Sequence, residues 1–572
     1  MVGVFGLDMS KQTNSRALWC LPSLTDVAFV MPILMLFAKL GGVKYMLADG
    51  DTGWHLRTGE WIIRNGRVPD RDIFSFTKAG QPWFAWEWLW DVIFGWLHMH
   101  WGMVAVVAAS LMVVSLTSAL LYRLVRRKCP NAVIAIAVTF LAVAASSIHW
   151  LARPHLFTML FVVVFYSILE RARDGNLRLL WFLPPLTVVW TNLHGGFFVG
   201  IVLALAYAAG ELGAWATEAQ PETRAAALRR SKPFLLCAAG CGLASFVNPY
   251  FYHLHVHIVR YLTEPFHFQK VQEFQTLSFQ HPAAHYFEVL ILLGMIAAAW
   301  NLYRKRFTYV ILLAGFLHLA LMSMRNIPMF AILAAPLIAE TLREALLPAP
   351  KWAAAGWVKR MATAIESFGA EVAQNDALGR IPVASMAAAV LLVLMLNLPA
   401  PPAALRAEYD PKNFPSQAVE ALRGAELSHG IFTPDVWGGY LIYRLYPTTK
   451  VFVDGRSDFY GKKFDEKYLD VMEGKYDWRE TLSRYGIQAI LLPVDASLAS
   501  TLKESPEWHP IYDDGVAIVF RNRDVRAAQA PRPESERVSA ATSGGISVIA
   551  RSPTIPNPRD RKIARLREET VR

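Results

Sequence analysis

The chemistry in this sequence begins where its first apolar run ends, with two aspartates two residues apart in Asp49-Gly50-Asp51-Thr52-Gly53-Trp54-His55. Carboxylates so placed can hold a divalent cation, Mg or Mn, through their oxygens, or one can be raised in pKa and act as a general base. Asp and Gly also favour ordinary turns, so the pair gains meaning from what else shares its side of the chain. Four later apolar runs exit on that side through polar turns: His149-Trp150-Leu151-Ala152-Arg153-Pro154-His155, Asn192-Leu193-His194-Gly195-Gly196, Asn248-Pro249-Tyr250 and Arg325-Asn326. One interfacial Arg or His is ordinarily a snorkelling residue. A whole set facing an acidic loop is poorly explained that way, because ionisable groups near membrane depth are costly to bury. Guanidinium groups suit phosphate through bidentate hydrogen bonds, and a nearby carboxylate suits deprotonation of an attacking hydroxyl. Together they fit transfer of a group from a lipid phosphate to an acceptor outside the cytoplasm. The run His253-Leu254-His255-Val256-His257 would align three imidazoles for a metal if it were a strand; an amphipathic interfacial segment is the preferred reading.

The elements that must position these residues are membrane helices. The chain has 572 residues, 54% of them hydrophobic and only 18% charged, and a crossing helix needs roughly 20 mostly apolar residues. About eleven segments qualify, near 23–47, 103–122, 131–149, 156–170, 179–193, 196–215, 233–248, 286–302, 307–323, 327–343 and 381–399. The first has no small-residue cleavage site after it and reads as a retained anchor. Basic clusters fall in alternate loops, such as Arg123, Arg126, Arg127 and Lys128, then Arg171, Arg173 and Arg178, then Arg304, Lys305 and Arg306. That bias puts the N-terminus in the cytoplasm and the Asp, Arg and His turns outside. It also accounts for the net charge of +11 without a nucleic-acid partner. The first outer loop, 48–102, contains the aromatics Trp83, Trp86, Trp88 and Trp90, which suit an interfacial helix lying on the membrane. None of Cys20, Cys129, Cys237 and Cys241 implies a disulfide framework. Residues 400–523 read as a small outer α/β domain with strands at Lys450–Asp454, Ile487–Leu492 and Gly515–Arg521 and a helix at Asp477–Tyr485. Residues 524–572 read as a disordered tail.

The pattern resembles the C-type (GT-C) glycosyltransferase superfamily, multi-pass enzymes that use polyprenyl-phosphate-linked sugars. Asp49 and Asp51 match the acidic motif that this superfamily carries in its first outer loop. Asp51-x-x-Trp54-His55-Leu56-x-x-Gly59, Pro69-x-x-Asp72, Trp83-x-x-x-Glu87-Trp88, Arg153-Pro154-His155, Asn192-x-His194-Gly195-Gly196, Asn248-Pro249 and Val453-Asp454-Gly455-Arg456 look like those of a bacterial branch of unsettled substrate. The resemblance implies a mainly α, polytopic fold in the inner membrane, and an inverting transfer of sugar to a glycan, lipid or protein acceptor. Asp49, Asp51 and His55 become the candidate catalytic residues. Arg153, His155, His194 and Arg325 would meet the donor phosphate, with the histidines orienting or neutralising its oxygens. Trp54, Glu87, Asn192, Asn248 and Asn326 would bind substrate, and a divalent cation on Asp49 and Asp51 is an option. Asp435, Trp437, Asp454, Arg456 and Asp458 would bind acceptor, cap the pocket or serve an ordinary structural role. The acceptor motifs of oligosaccharyltransferases are not recognisable, so protein N-glycosylation is not indicated. Three rivals share parts of the pattern: a flippase of lipid-linked saccharides, a surface-glycan polymerase or ligase, and a non-catalytic assembly protein.

Overall fold

The computed structural model describes residues 16–281, 284–346, 356–379, 381–422 and 430–523. The tail expected at 524–572 lies outside them. The chain runs through α1 (Leu24–Lys39), α2 (Asp51–Asn65), α3 (Trp88–Lys128), α4 (Ala132–Ser146), α5 (His155–Arg173), α6 (Leu183–Leu193), α7 (Phe198–Thr217) and α8 (Pro221–Ala244). After the short α9 (Tyr252–Thr263) and α10 (Pro265–Lys270) come α11 (Ala284–Tyr303), α12 (Phe307–Met322), α13 (Ile327–Leu346), α14 (Gly356–Asp376) and α15 (Val383–Leu396).

All eleven apolar runs are largely helical. Among the described residues six helices are long and apolar enough to cross a membrane: Leu18–Lys39, Trp88–Lys128, Ala132–His149, His155–Arg173, Gly195–Thr217 and Ala284–Tyr303, with α12 and α15 apolar but shorter. The other three runs fall short for local reasons. Pro184 and Pro185 start α6 late, behind a 3-10 turn. The first half of α8 carries Arg224, Arg229, Arg230 and Lys232, and α13 ends in Glu340, Arg343 and Glu344.

Two features place the loop between α1 and the apolar part of α3. Gly102, at φ 67° and ψ −164°, breaks α3 into an amphipathic piece before it and an apolar one after it. In the first piece Trp90, Asp91, Phe94 and Gly95 are buried, whereas Trp96, Met99 and Trp101 are exposed, the two-sided pattern of an interfacial helix. Helix α2 packs against this buried face and, on its other side, against the C-terminal region.

That region contains α16 (Ser416–Leu422), α17 (Asp435–Leu445), α18 (Ser457–Tyr460), α19 (Lys462–Met472), α20 (Trp478–Arg484) and α21 (Ser497–Lys503) around a four-stranded sheet. Its strands β1 (Ile431–Phe432), β2 (Ala489–Pro493), β3 (Trp508–Asp513) and β4 (Ala517–Asn522) lie in the order β1-β2-β4-β3, with β1 parallel to β2 and the other pairs antiparallel. Side chains alternate across a strand, and here both faces are buried. Ile490, Leu492, Ile518 and Phe520 pack on the region's own helices, while Leu491, Ala517 and Val519 join the large core shared with the membrane helices. The strand expected at Lys450–Asp454 is instead an extended link: Val451 makes single bridges to Ser75 of the first loop and to Ile431.

That link ends in the loop 453–456, which is held down by Arg456. This side chain is 2% exposed and paired with Asp454 at 2.7 Å and Asp72 at 2.8 Å. It also lies 4.5 Å from the Trp83 ring. Removing one partner of a buried ion pair leaves an uncompensated charge and costs about 3–5 kcal/mol. Arg456→Ala should therefore lower the thermal unfolding midpoint of the detergent-solubilised protein sharply, and adding Asp72→Asn should restore part of the loss.

Candidate active site

One cavity of about 1060 Å³ lies where the polar turns of the membrane helices meet α2 and the C-terminal region. Asp51 occupies the first turn of α2. Its location depends on close backbone approach: a Cβ on Gly439 of α17 would come 2.5 Å from the Gly50 carbonyl, and one on Gly455 would collide with Asp51 Oδ1. Arg153 is brought opposite by two main-chain ties, from the Ala152 amide to the Met46 carbonyl at 2.7 Å and from Thr52 Oγ1 to the Ala152 carbonyl at 3.2 Å.

The guanidinium of Arg153 forks across both aspartates, Nη1 at 2.5 Å from Asp49 Oδ2 and Nη2 at 2.9 Å from Asp51 Oδ2. Beyond it stands Glu273, 3.6 Å from Arg153 and 3.6 Å from Arg325. Ser323 Oγ donates to the Glu273 carbonyl at 3.0 Å, which fastens the Glu273 turn to that of Arg325. Charges thus alternate along the floor: the aspartate pair, Arg153, Glu273, Arg325.

Burial, with the Asp49 charge beside it, raises the Asp51 carboxyl to about 8 despite Arg153. Glu87 is likewise raised to about 8 by burial, against the pull of Arg153. Burial opposes the Glu273 carboxylate too, but Arg325 and Arg153 outweigh it and hold the group at about 2. His194 is pushed down to about 3 by burial and then by Arg325 and Arg153. It is therefore neutral, and its Nδ1 accepts from the Gly196 amide at 3.0 Å with Thr158 Oγ1 also at 2.7 Å. The ring proton then sits on Nε2, 3.4 Å from Glu87 Oε1. A neutral imidazole can orient a phosphate oxygen with one hydrogen bond and cannot neutralise it.

Of the residues singled out from sequence, Asp49, Asp51, Trp54, Glu87, Arg153, His155, His194, Arg325 and Asn326 line the cavity, as do Asp435, Trp437, Asp454, Arg456 and Asp458. Three candidates do not. His55 stands behind the wall with Nδ1 at 2.7 Å from Asp91 Oδ1 and Nε2 at 3.5 Å from Glu87 Oε2. Asn192 donates to the carbonyls of Val188 and Val247 and accepts from Trp88 Nε1. Among the described residues Asn248 bonds backbone, at Ser245, Tyr250 and Phe251. These two amides shape turns by replacing missing main-chain partners. The 253–257 histidines lie on a helix and diverge, His255 to Ser245 Oγ and His257 to Asp458.

A divalent cation on Asp49 and Asp51 would share their oxygens with Arg153 and the Asp51 amide, which in this structure take both Asp49 oxygens and Asp51 Oδ2. Among the described residues no three His, Cys, Asp or Glu side chains converge on a metal position. Glu273 escaped the sequence reading because nothing separates it from Glu264 in the same loop. Asp91 escaped because it sits within an aromatic helix.

No protein-family model matches the chain, and no curated protein matches it either. Solved structures do. The archaeal oligosaccharyltransferase AglB from Archaeoglobus fulgidus, in complex with an inhibitory peptide and a dolichol-phosphate, superposes with a TM-score of 0.51 at 12% identity, covering 88% of this chain and 74% of that one. The apo form of the Archaeoglobus fulgidus oligosaccharyltransferase gives 0.49 at 11% identity, covering 90% and 75%. The chain has a GT-C-like, polytopic membrane fold. At this identity the likeness is one of architecture, and the activity has to come from the cavity.

Proposed function

We propose that the protein is an inverting glycosyltransferase that moves a sugar from a polyprenyl-phosphate donor to an acceptor hydroxyl on the outer face of the inner membrane. The observation that carries this reading is the fork of Arg153 across Asp49 and Asp51, a guanidinium of the kind that suits phosphate in direct contact with a carboxyl whose pKa is raised. The donor phosphate, entering beside Arg153 and Arg325, competes for the guanidinium and loosens its hold on Asp51. Asp51 then takes the proton as the acceptor oxygen bonds to the anomeric carbon. The bond from that carbon to the phosphate oxygen breaks on the opposite face, and the two arginines stabilise the charge left on the lipid phosphate. Glu87, neutral at pH 7, and the Nε2 proton of His194 offer uncharged donors to the sugar or phosphate.

The test is incubation of the purified protein with a panel of polyprenyl-phosphate sugars and analysis of the anomeric configuration of the product. Flipping of the lipid-linked sugar without transfer, or no reaction with any donor, would overturn the reading. A base with its pKa near 8 is mostly protonated at lower pH. Hence kcat/KM should rise about tenfold per pH unit on the acid side and flatten above about pH 8.

A further inference from the structure

The proposed chemistry leaves one wall of the cavity unused, that formed by α17 and α19. Carboxylates outnumber Lys and Arg along the described lining by eight to four. Most are nevertheless matched. Asp49, Asp51 and Glu273 share Arg153 and Arg325, Asp454 holds Arg456, Asp458 lies 2.9 Å from His257, and Glu87 faces two imidazoles. Asp435 and Asp465 are the exceptions. Asp435 Oδ1 receives the Val436 amide at 2.9 Å and the Tyr468 hydroxyl at 3.2 Å, with no cation paired to it among the described residues. Asp465 is only 7% exposed, and its Oδ2 is buried without a hydrogen-bond partner among the described residues. Lys78 acts on Asp465 only through its field; its ammonium lies over the Phe464 ring, 5.6 Å from the centroid.

A buried carboxylate oxygen without a partner costs free energy that a ligand can return. Burial, and then the charges of Asp435, Asp458 and Asp454, raise the Asp465 carboxyl to about 8, so with the subsite empty it is mostly protonated at neutral pH. A neutral hydroxyl would leave it so, whereas a cation favours the ionised carboxylate. An ammonium supplies three N–H donors and the missing positive charge together.

We propose that Asp435 and Asp465, with the Tyr468 hydroxyl beside them, form a subsite for a protonated amine on the acceptor, such as the ammonium of an amino sugar. The subsite rests on the reading of this cavity as a glycosyltransferase site and specifies its acceptor.

The full-length protein in detergent is titrated with D-glucosamine, N-acetyl-D-glucosamine and D-glucose at neutral pH, followed by saturation-transfer NMR. Glucosamine should bind about tenfold or more tightly than the two uncharged sugars. Asp465→Asn should abolish that preference, and Asp465→Glu, which restores a carboxylate, should keep most of it with an unchanged melting temperature. Equal binding of the three sugars, or a preference that survives Asp465→Asn, would overturn the subsite. So would Mg²⁺ binding that depends on Asp465 without any discrimination among the sugars. Because binding is read without turnover, the two readings can fail separately. Sugar transfer with no amine preference removes the subsite alone, whereas an amine preference without transfer upholds the subsite and removes the transferase.

Discussion

Asp51→Asn should reduce sugar transfer by about 10²–10⁴-fold, the range for loss of a positioned general base, with the donor KM changed only a few-fold. The substitution keeps the side-chain shape and leaves an oxygen to accept from Arg153 Nη2, now 2.9 Å from Asp51 Oδ2. What it removes is the ability to take a proton. An interaction made only in the transition state lowers kcat and kcat/KM together, so this pattern, with an unchanged melting temperature, is the expected result. Asp49→Asn should be milder, because one Asp49 oxygen serves the Asp51 amide and the other serves Arg153, contacts an amide partly reproduces. A larger loss at Asp49 than at Asp51 would exchange their roles, and transfer that survives both changes would remove the pair from the mechanism.

What was legible in the sequence, and what was not, follows from how far apart the interacting residues lie. Apolar runs report the medium around a helix, a local property, and every run expected to be helical is so over most of its length. Charged residues at the ends of such runs stand out because their burial is costly, which is why Asp49, Asp51, Arg153 and Arg325 could be picked before they were known to share a cavity. Asn192 and Asn248 stood in equally polar turns, but turn amides serve backbone as readily as ligands. Pairing between distant segments left no trace. The extended Lys450–Asp454 stretch reads as a strand, yet its bridging partners are Ser75, nearly four hundred residues earlier, and the two-residue strand at Ile431. Glu273 acquires its part only from Arg153 and Arg325, and no spacing within 249–285 encodes that meeting.

Arg153 carries the other large expectation, and comparing two replacements separates its charge from its shape. Arg153→Lys should lower kcat by about 10²–10³-fold, the usual loss for a group that stabilises developing charge. A lysine ammonium is a single point and cannot span Asp49 and Asp51 and then offer a planar fork to phosphate. It does keep a positive charge near Asp51. Since Arg153 pulls the Asp51 carboxyl down against burial and the Asp49 charge, Arg153→Ala should let that pKa climb above about 8 and carry the acid limb of the pH–rate profile to higher pH. Arg153→Lys should leave the limb near its original position. Activity lost in both variants with the limb displaced only in Arg153→Ala would tie the guanidinium to phosphate by geometry and to Asp51 by charge. A limb that stays fixed in both would mean that the titrating group is neither Asp51 nor Glu87, because Arg153 pulls both of those carboxyls down.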